Sequence, residues 1–126
     1  MGRSYKDLIA WQKAMSLAES VYAVSAQFPT DERYGMTAQI RRCAVSIASN
    51  IAEGHGRLTT RDWQHFLSQA RGSANELETE LMLSIRLRLA PQDSFERVVT
   101  DAEEVDRVSN GLLNSTRSRP PRKPLE

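Results

Sequence analysis

Between residues 34 and 56 the apolar side chains Met36, Ile40, Cys43, Ala44, Ile47 and Ile51 recur at steps of three and four, the period of one face of an α-helix. The pattern predicts a helix over about residues 35–53. Gly54 is expected in the left-handed position just past its end, with Gly56 tightening the turn. The opposite flank repeats Gln39, Arg42, Ser46, Ser49, Asn50 and Glu53 at the same spacing. Such a hydrogen-bonding stripe faces either solvent or an interface. Upstream, a first helix is predicted over about residues 7–27, with Ser4 as N-cap and Asp7 three residues on, a variant of the capping box. It carries two adjacent stripes, Leu8, Trp11, Met15, Ala18 and Tyr22 beside Ala14, Leu17, Val21, Val24 and Phe28. That arc is wider than one core seam requires, so the helix lies deep in a bundle or also faces a neighbouring subunit. Pro29 ends it, and residues 30–33 leave room for a helical turn.

A third helix is expected to begin at Thr59 or Thr60 as N-cap, with Asp62 against the positive end of its dipole. Trp63, Phe66, Leu67, Ala70, Ala74, Leu77, Leu81 and Ile85 form its apolar face, and Ala90-Pro91 breaks it near residue 89. Gly72-Ser73 is a local conflict, since glycine costs about 1 kcal/mol against alanine there; the expected compensation is a close approach of another helix. From about residue 93 a fourth helix places Phe95, Val98, Ala102, Val105, Ser109 and Leu112 on a bundle seam, with an outer face of Glu96, Asp101, Glu103, Glu104 and Asp106. No segment reads as a strand. Four amphipathic helices with short connections predict an all-α, antiparallel up-down-up-down four-helix bundle as a single domain over residues 1–116. Residues 117–126, RSRPPRKPLE, are expected to be a flexible basic, proline-rich tail.

Composition alters this picture little. At 126 residues, 40% hydrophobic and 26% charged, the chain suits one ordinary globular core. No apolar run approaches the roughly 20 residues of a membrane span, and the N-terminus lacks a leader pattern, so a soluble cytoplasmic protein with no membrane partner is expected. Lone Cys43 excludes an internal disulfide and is expected to be a buried thiol acting as a small hydrophobe. Net charge is +1, yet it is unevenly spread. Residues 1–71 hold nine basic against six acidic side chains, residues 72–116 four against nine, and residues 117–126 four against one. Segregation of that kind creates local potentials that the total conceals.

Catalytic and metal chemistry find little footing in the pattern. His55 and His65 sit on different elements with no carboxylate at metal-ligand spacing. His55 is expected in a loop and His65 on a helix surface. Gly54-His55-Gly56 lacks the lysine and serine or threonine of a phosphate loop. Glu76, Glu78 and Glu80 alternate by two and are expected to make surface or inter-helix salt bridges rather than converge on one ion. No cofactor is called for. A nucleic-acid surface has more support: Arg41, Arg42, Arg57, Arg61 and Arg71 are guanidiniums able to meet RNA or DNA phosphates, with Arg117, Arg119, Arg122 and Lys123 as an arm. Against it stand the low net charge and the placing of both tryptophans on core stripes. The competing expectation pairs Arg41, Arg42 and Arg71 with Glu53, Glu76 or Glu78, within or between subunits.

Particular residues also carry a family likeness. Asp7-Leu8, Trp11-Gln12-Lys13-Ala14, Val21-Tyr22, Phe28-Pro29, Glu32, Tyr34-Gly35, Gln39, Arg41-Arg42, Ala44-Val45-Ser46-Ile47, Asn50-Ile51-Ala52-Glu53-Gly54, Arg57, Phe66-Leu67, Ala70, Gly72-Ser73 and Glu76-Leu77-Glu78 resemble one bacterial family. It is the four-helix-bundle family named for proteins encoded in intervening sequences of large-subunit ribosomal RNA genes, and it includes the accessory variability protein of diversity-generating retroelements. The resemblance implies a homo-oligomer, a pentameric ring in known relatives, and no enzymatic activity. It would make the wide arc of helix one part core and part subunit interface. The retroelement relatives are markedly basic and bind nucleic acid and a reverse transcriptase; this chain departs from them in its net charge and acidic fourth helix. The resulting expectation is a non-enzymatic oligomer binding RNA or a ribonucleoprotein partner through Arg41, Arg42, Arg57, Arg61 and Arg71. Trp11, Gln39, Asn50 and Glu53 are its candidate oligomer contacts. The alternatives are a protein–protein scaffold without nucleic-acid affinity and a small-molecule site in the bundle or ring lumen.

Overall fold

The computed structural model describes residues 4–117, which form four α-helices and, among the described residues, no strand. These are α1 (Ile9–Ser25), α2 (Met36–His55), α3 (Thr60–Arg86) and α4 (Glu96–Arg117), with short 3-10 turns at Tyr5–Asp7, Thr30–Glu32 and Gln92–Phe95. Each helix packs against two others, α1 on α2, α2 on α3, α3 on α4 and α4 on α1. They enclose one core that includes Leu17, Val21, Ile40, Ile47, Ile51, Leu67, Leu77, Val98 and Val105. Between α2 and α3, Ser46 meets Ser73 while Gly54 meets Trp63 and Phe66; between α1 with its following turn and α4 with its preceding turn, Lys13 meets Glu104 while Gln27 meets Ser94. Of the tail expected over residues 117–126, Arg117 instead closes α4, and residues 118–126 lie outside the described residues.

Several helix ends fall elsewhere than the pattern suggests. Ser4 caps the Tyr5–Asp7 turn, accepting from the Lys6 amide, and α1 starts only at Ile9. Of the two α1 stripes, Ala14, Leu17, Val21, Val24 and Phe28 are buried, whereas Met15 and Tyr22 remain exposed and Leu8, Trp11 and Ala18 are half-buried. Thr59 caps α3 through the Asp62 amide. α3 ends before Ala90-Pro91: Leu89 donates to the Ser84 carbonyl and Arg88 to that of Ile85. Arg88 has φ 55°, so an arginine takes the left-handed position that glycine usually fills in this terminus. On α4 the seam passes from Ser109 to buried Leu113 rather than to Leu112, following a step of four.

Two glycines reverse their expected roles. Gly54 lies inside α2, and no described glycine has positive φ. Its use is steric: a Cβ there would stand 2.6 Å from Phe66 Cβ and 2.6 Å from Trp63 Cε3. α2 and α3 touch at this point. Gly72, by contrast, has nothing within 4 Å of where its Cβ would be, so the expected close approach is absent there and the glycine only weakens α3. Gly54→Ala is therefore expected to lower stability by about 1–3 kcal/mol through overpacking. Gly72→Ala should raise it by roughly 0.5–1 kcal/mol through helix propensity. Urea unfolding of the two variants beside the parent checks both signs.

Candidate nucleic-acid interface

α1 turns its Val21 and Val24 inward, which leaves Tyr22 on the outer flank, 47% exposed. α2 buries Ile40 and Ala44 and so carries Arg41 to the same side. Arg41 is held there from two directions: its Nε donates to Ser25 Oγ at 2.8 Å, and its guanidinium lies 4.5 Å from the Tyr22 ring centroid. The connection before α2 adds Arg33, whose guanidinium is 5.8 Å from the ring of Tyr34, itself 89% exposed. Of the two acids in this connection, Asp31 is exposed and Glu32 is engaged, its Oε1 accepting from the Met36 amide at the start of α2. The result is an open groove of about 690 Å³ lined by Tyr22, Arg33, Tyr34, Thr37, Ala38, Arg41, Arg42, Val45 and Ser46. Three guanidiniums and two tyrosine rings line it, with no carboxylate among the described lining residues. Guanidiniums meet phosphates and aromatic faces stack on bases, so this pairing suits a single-stranded nucleic acid.

The five arginines singled out from the sequence do not form one patch. Arg41 and Arg42 share the groove. Arg57 lies just past the far end of α2, about 20 Å away, where Nη2 meets Glu53 Oε1 at 2.5 Å and the guanidinium covers the Phe66 ring at 4.7 Å. Arg61 is exposed at the start of α3 and Arg71 farther along it. Among the described residues, Arg41, Arg42 and Arg71 make no salt bridge with Glu53, Glu76 or Glu78, so the pairing expected of them does not form within a subunit. Arg33, Tyr22 and Tyr34 had no place in the expected surface. Tyr22 shares the spacing of an apolar stripe, and the exposure of Tyr34 follows from its position in a connection.

The expected oligomer contacts are also dispersed. Trp11 is half-buried and edge-on to Tyr5 at 5.3 Å. Asn50 donates to the Ser46 carbonyl at 2.9 Å and to Ser46 Oγ at 3.1 Å, and Ser46 Oγ meets Ser73 Oγ at 2.9 Å. Of the polar stripe, Ser46 thus ties α2 to α3 with Asn50 braced against it, while Gln39, Arg42, Ser49 and Glu53 stay exposed. His55 is the last residue of α2, half-buried against Trp63, rather than in a loop. His65 is on the surface of α3 as expected.

The acids of α3 also differ from expectation. Glu78 faces Asp106 and Glu103 of α4; its hydrogen-bonded contact with Asp106, then burial, then the charges of Asp106 and Glu103 push its carboxyl up to about 7. Glu80 is buried, and burial first of all raises its carboxyl. Cys43 is buried as expected but faces Glu80 and Glu76 as well as the core. Burial, with those carboxylates, pushes its thiol up to about 12. Glu76, Glu78 and Glu80 make none of the salt bridges expected of them among the described residues.

An all-helical domain with one basic, tyrosine-bearing groove is the class this geometry defines. Residues 6–111 match the family model of the 23S rRNA-intervening sequence protein, and the chain belongs to that family, as its motifs indicate. Its fold is similar to that of a crystallised Bacteroides thetaiotaomicron protein of unknown function from the S23 ribosomal protein family. The TM-score is 0.78 at 24% identity, covering 86% of this chain and 98% of that one. A comparison with curated proteins finds no match. No helix among the described residues is long and apolar enough to cross a membrane.

The Glu78 cluster gives stability a pH dependence. Its folded-state value of about 7 lies above the ordinary 4.5, so the folded chain holds a proton that the unfolded chain releases. Stability should fall as pH rises between these values and stay low above them. Glu78→Gln is expected to flatten this slope in part, Glu80 contributing in the same direction, and to raise the melting temperature at pH 8 more than at pH 5. Thermal melts at the two pH values check it.

Proposed function

We propose that this protein is a non-enzymatic, oligomeric, antiparallel four-helix bundle of the cytoplasm that binds single-stranded RNA, free or within a ribonucleoprotein, through the groove between α1 and α2. What supports the binding is the groove's chemistry: Arg33, Arg41 and Arg42 stand beside the rings of Tyr22 and Tyr34 with no lining carboxylate among the described residues. Arg57, Arg61 and Arg71 belong to a secondary surface at most, since Arg57 is already paired. Assembly into a ring is supported by apolar side chains that a single chain leaves uncovered, Ile9 and Met15 on α1 and Met82, Leu83 and Leu87 along and just beyond α3. Repetition of a modest groove around such a ring raises avidity without added contacts.

Fluorescence anisotropy with labelled single-stranded RNA tests the groove. Binding should weaken steeply with added salt. Arg41→Ala with Arg42→Ala should cost at least about tenfold in affinity, and Tyr34→Ala about fivefold to a hundredfold, the range of one lost base stack. Arg61→Ala should change little. Binding that ignores salt, or that survives loss of Arg41 and Arg42, overturns the groove as the RNA site. Absence of RNA binding altogether would favour the scaffold alternative, for which the same uncovered apolar side chains speak. Light scattering at micromolar concentration is expected to give a multiple of the 14.2 kDa chain mass; a monomeric mass overturns the ring.

A further inference from the structure

Where α2 and α3 face each other below Ser46 and Ser73, three potential ligands come together that the RNA groove does not use. Cys43 on α2 is 7% exposed; Glu80 on α3 is 9% exposed, and Glu76 lies one turn before it. One ligand atom from each, the Cys43 sulfur and a carboxylate oxygen from Glu76 and from Glu80, all lie within 4.8 Å of one another. Glu80 Oε1 is sealed from solvent and has no hydrogen-bond partner. Buried carboxylate oxygens are ordinarily paired, because removing one from water without a partner is costly. A cation held by the Glu80 carboxylate would supply that partner. A polar cavity of about 300 Å³ lined by Gln39, Arg42, Cys43, Ser46, Ser73 and Glu76 connects the cluster to the outside.

We propose that Cys43, Glu76 and Glu80 bind a divalent transition metal of the zinc class, with water from the adjoining cavity as fourth ligand. The donor set selects the metal. Magnesium and calcium take oxygen ligands almost alone, whereas a thiolate beside carboxylates suits Zn²⁺ and its spectroscopic substitute Co²⁺. Donors around a tetrahedral zinc sit about 3.5 Å apart, closer than the outer limit of the present spacing. Exposed Glu76 can close that gap by turning, since its i, i+4 relation to Glu80 keeps both on one face of α3. Charge also balances: a divalent ion with three anionic ligands carries one net negative charge, and Arg42 lines the same cavity. On binding, the thiol proton of Cys43 leaves to solvent as the metal–sulfur bond forms, with no change of oxidation state.

The full chain, prepared free of metal and titrated with Co²⁺, tests the site independently of RNA binding. One Co²⁺ per chain is expected, with the near-ultraviolet charge-transfer band of a thiolate ligand, displaced by Zn²⁺. Cys43→Ser should lose the band. Glu80→Gln, and likewise Glu76→Gln, should weaken Co²⁺ binding at least about tenfold while keeping the helical circular dichroism. Zn²⁺ should raise the melting temperature of the parent chain and raise that of Glu80→Gln less at the same Zn²⁺ concentration. That variant keeps the shape of the side chain, so it carries the test even if Cys43→Ser folds poorly. No charge-transfer band at saturating Co²⁺, a band that survives Cys43→Ser, or an affinity unchanged in Glu80→Gln overturns the site.

Discussion

The arrangement depends on how nearly α2 and α3 can touch at Gly54. A hydrogen in place of a side chain on that Cα admits the Trp63 ring and Phe66 Cβ to positions that a methyl group would occupy. The short link that follows, capped at Thr59, then returns the chain onto α2 instead of away from it. From that crossing the rest of the seam follows in register: Ser46 reaches Ser73, and Cys43 comes to face Glu76 and Glu80. Arg41 is thereby turned toward α1, while Arg42 beside it borders both the groove on that side and the cavity facing α3. A bulge or a left-handed exit at Gly54 would have rotated all of these together.

Apolar periodicity made the four helices legible, because burial of Ile40, Ile47, Leu67, Leu77, Val98 and Val105 is a property of spacing alone. Ends were less legible where they rest on atypical residues. Arg88 closes α3 in a position where glycine is the usual marker, so nothing in the local pattern announces it. Glycines were legible as exceptions but not as to kind: Gly54 and Gly72 both interrupt helical sequence, and only the neighbouring helix shows which one is needed. The groove was half legible. Arg41 and Arg42 stood out, while Tyr22 shared the spacing of core residues and Arg33 and Tyr34 lay in a connection without period. The spacing of Glu76, Glu78 and Glu80 concealed that the first and third share a face, as residues four apart on a helix do.

A net charge of +1 describes this surface poorly. Arg33, Arg41 and Arg42 gather on the α1 side of α2, while Glu78, Glu103 and Asp106 crowd one another across α3 and α4. The carboxylates sit beside Leu81, Met82, Ile85 and Val99 in a groove of their own, where desolvation and mutual repulsion oppose folding and the apolar core offsets them. An anionic ligand approaching the chain therefore meets opposite potentials on the two sides of the same small domain, which orients the encounter before any contact forms.

Arg41 has a further consequence, in conformational entropy. An arginine carries about 2 kcal/mol of rotamer freedom, most of which a free side chain must surrender when it grips a phosphate. Here Ser25 Oγ and the Tyr22 ring already hold the guanidinium, so that freedom is spent during folding rather than during recognition. Ser25, which does not line the groove, thus becomes a determinant of affinity through Arg41, Tyr22 acts both in that way and from its own place in the groove, and Arg33 and Tyr34, more open to solvent, are left as the parts that adjust to what arrives.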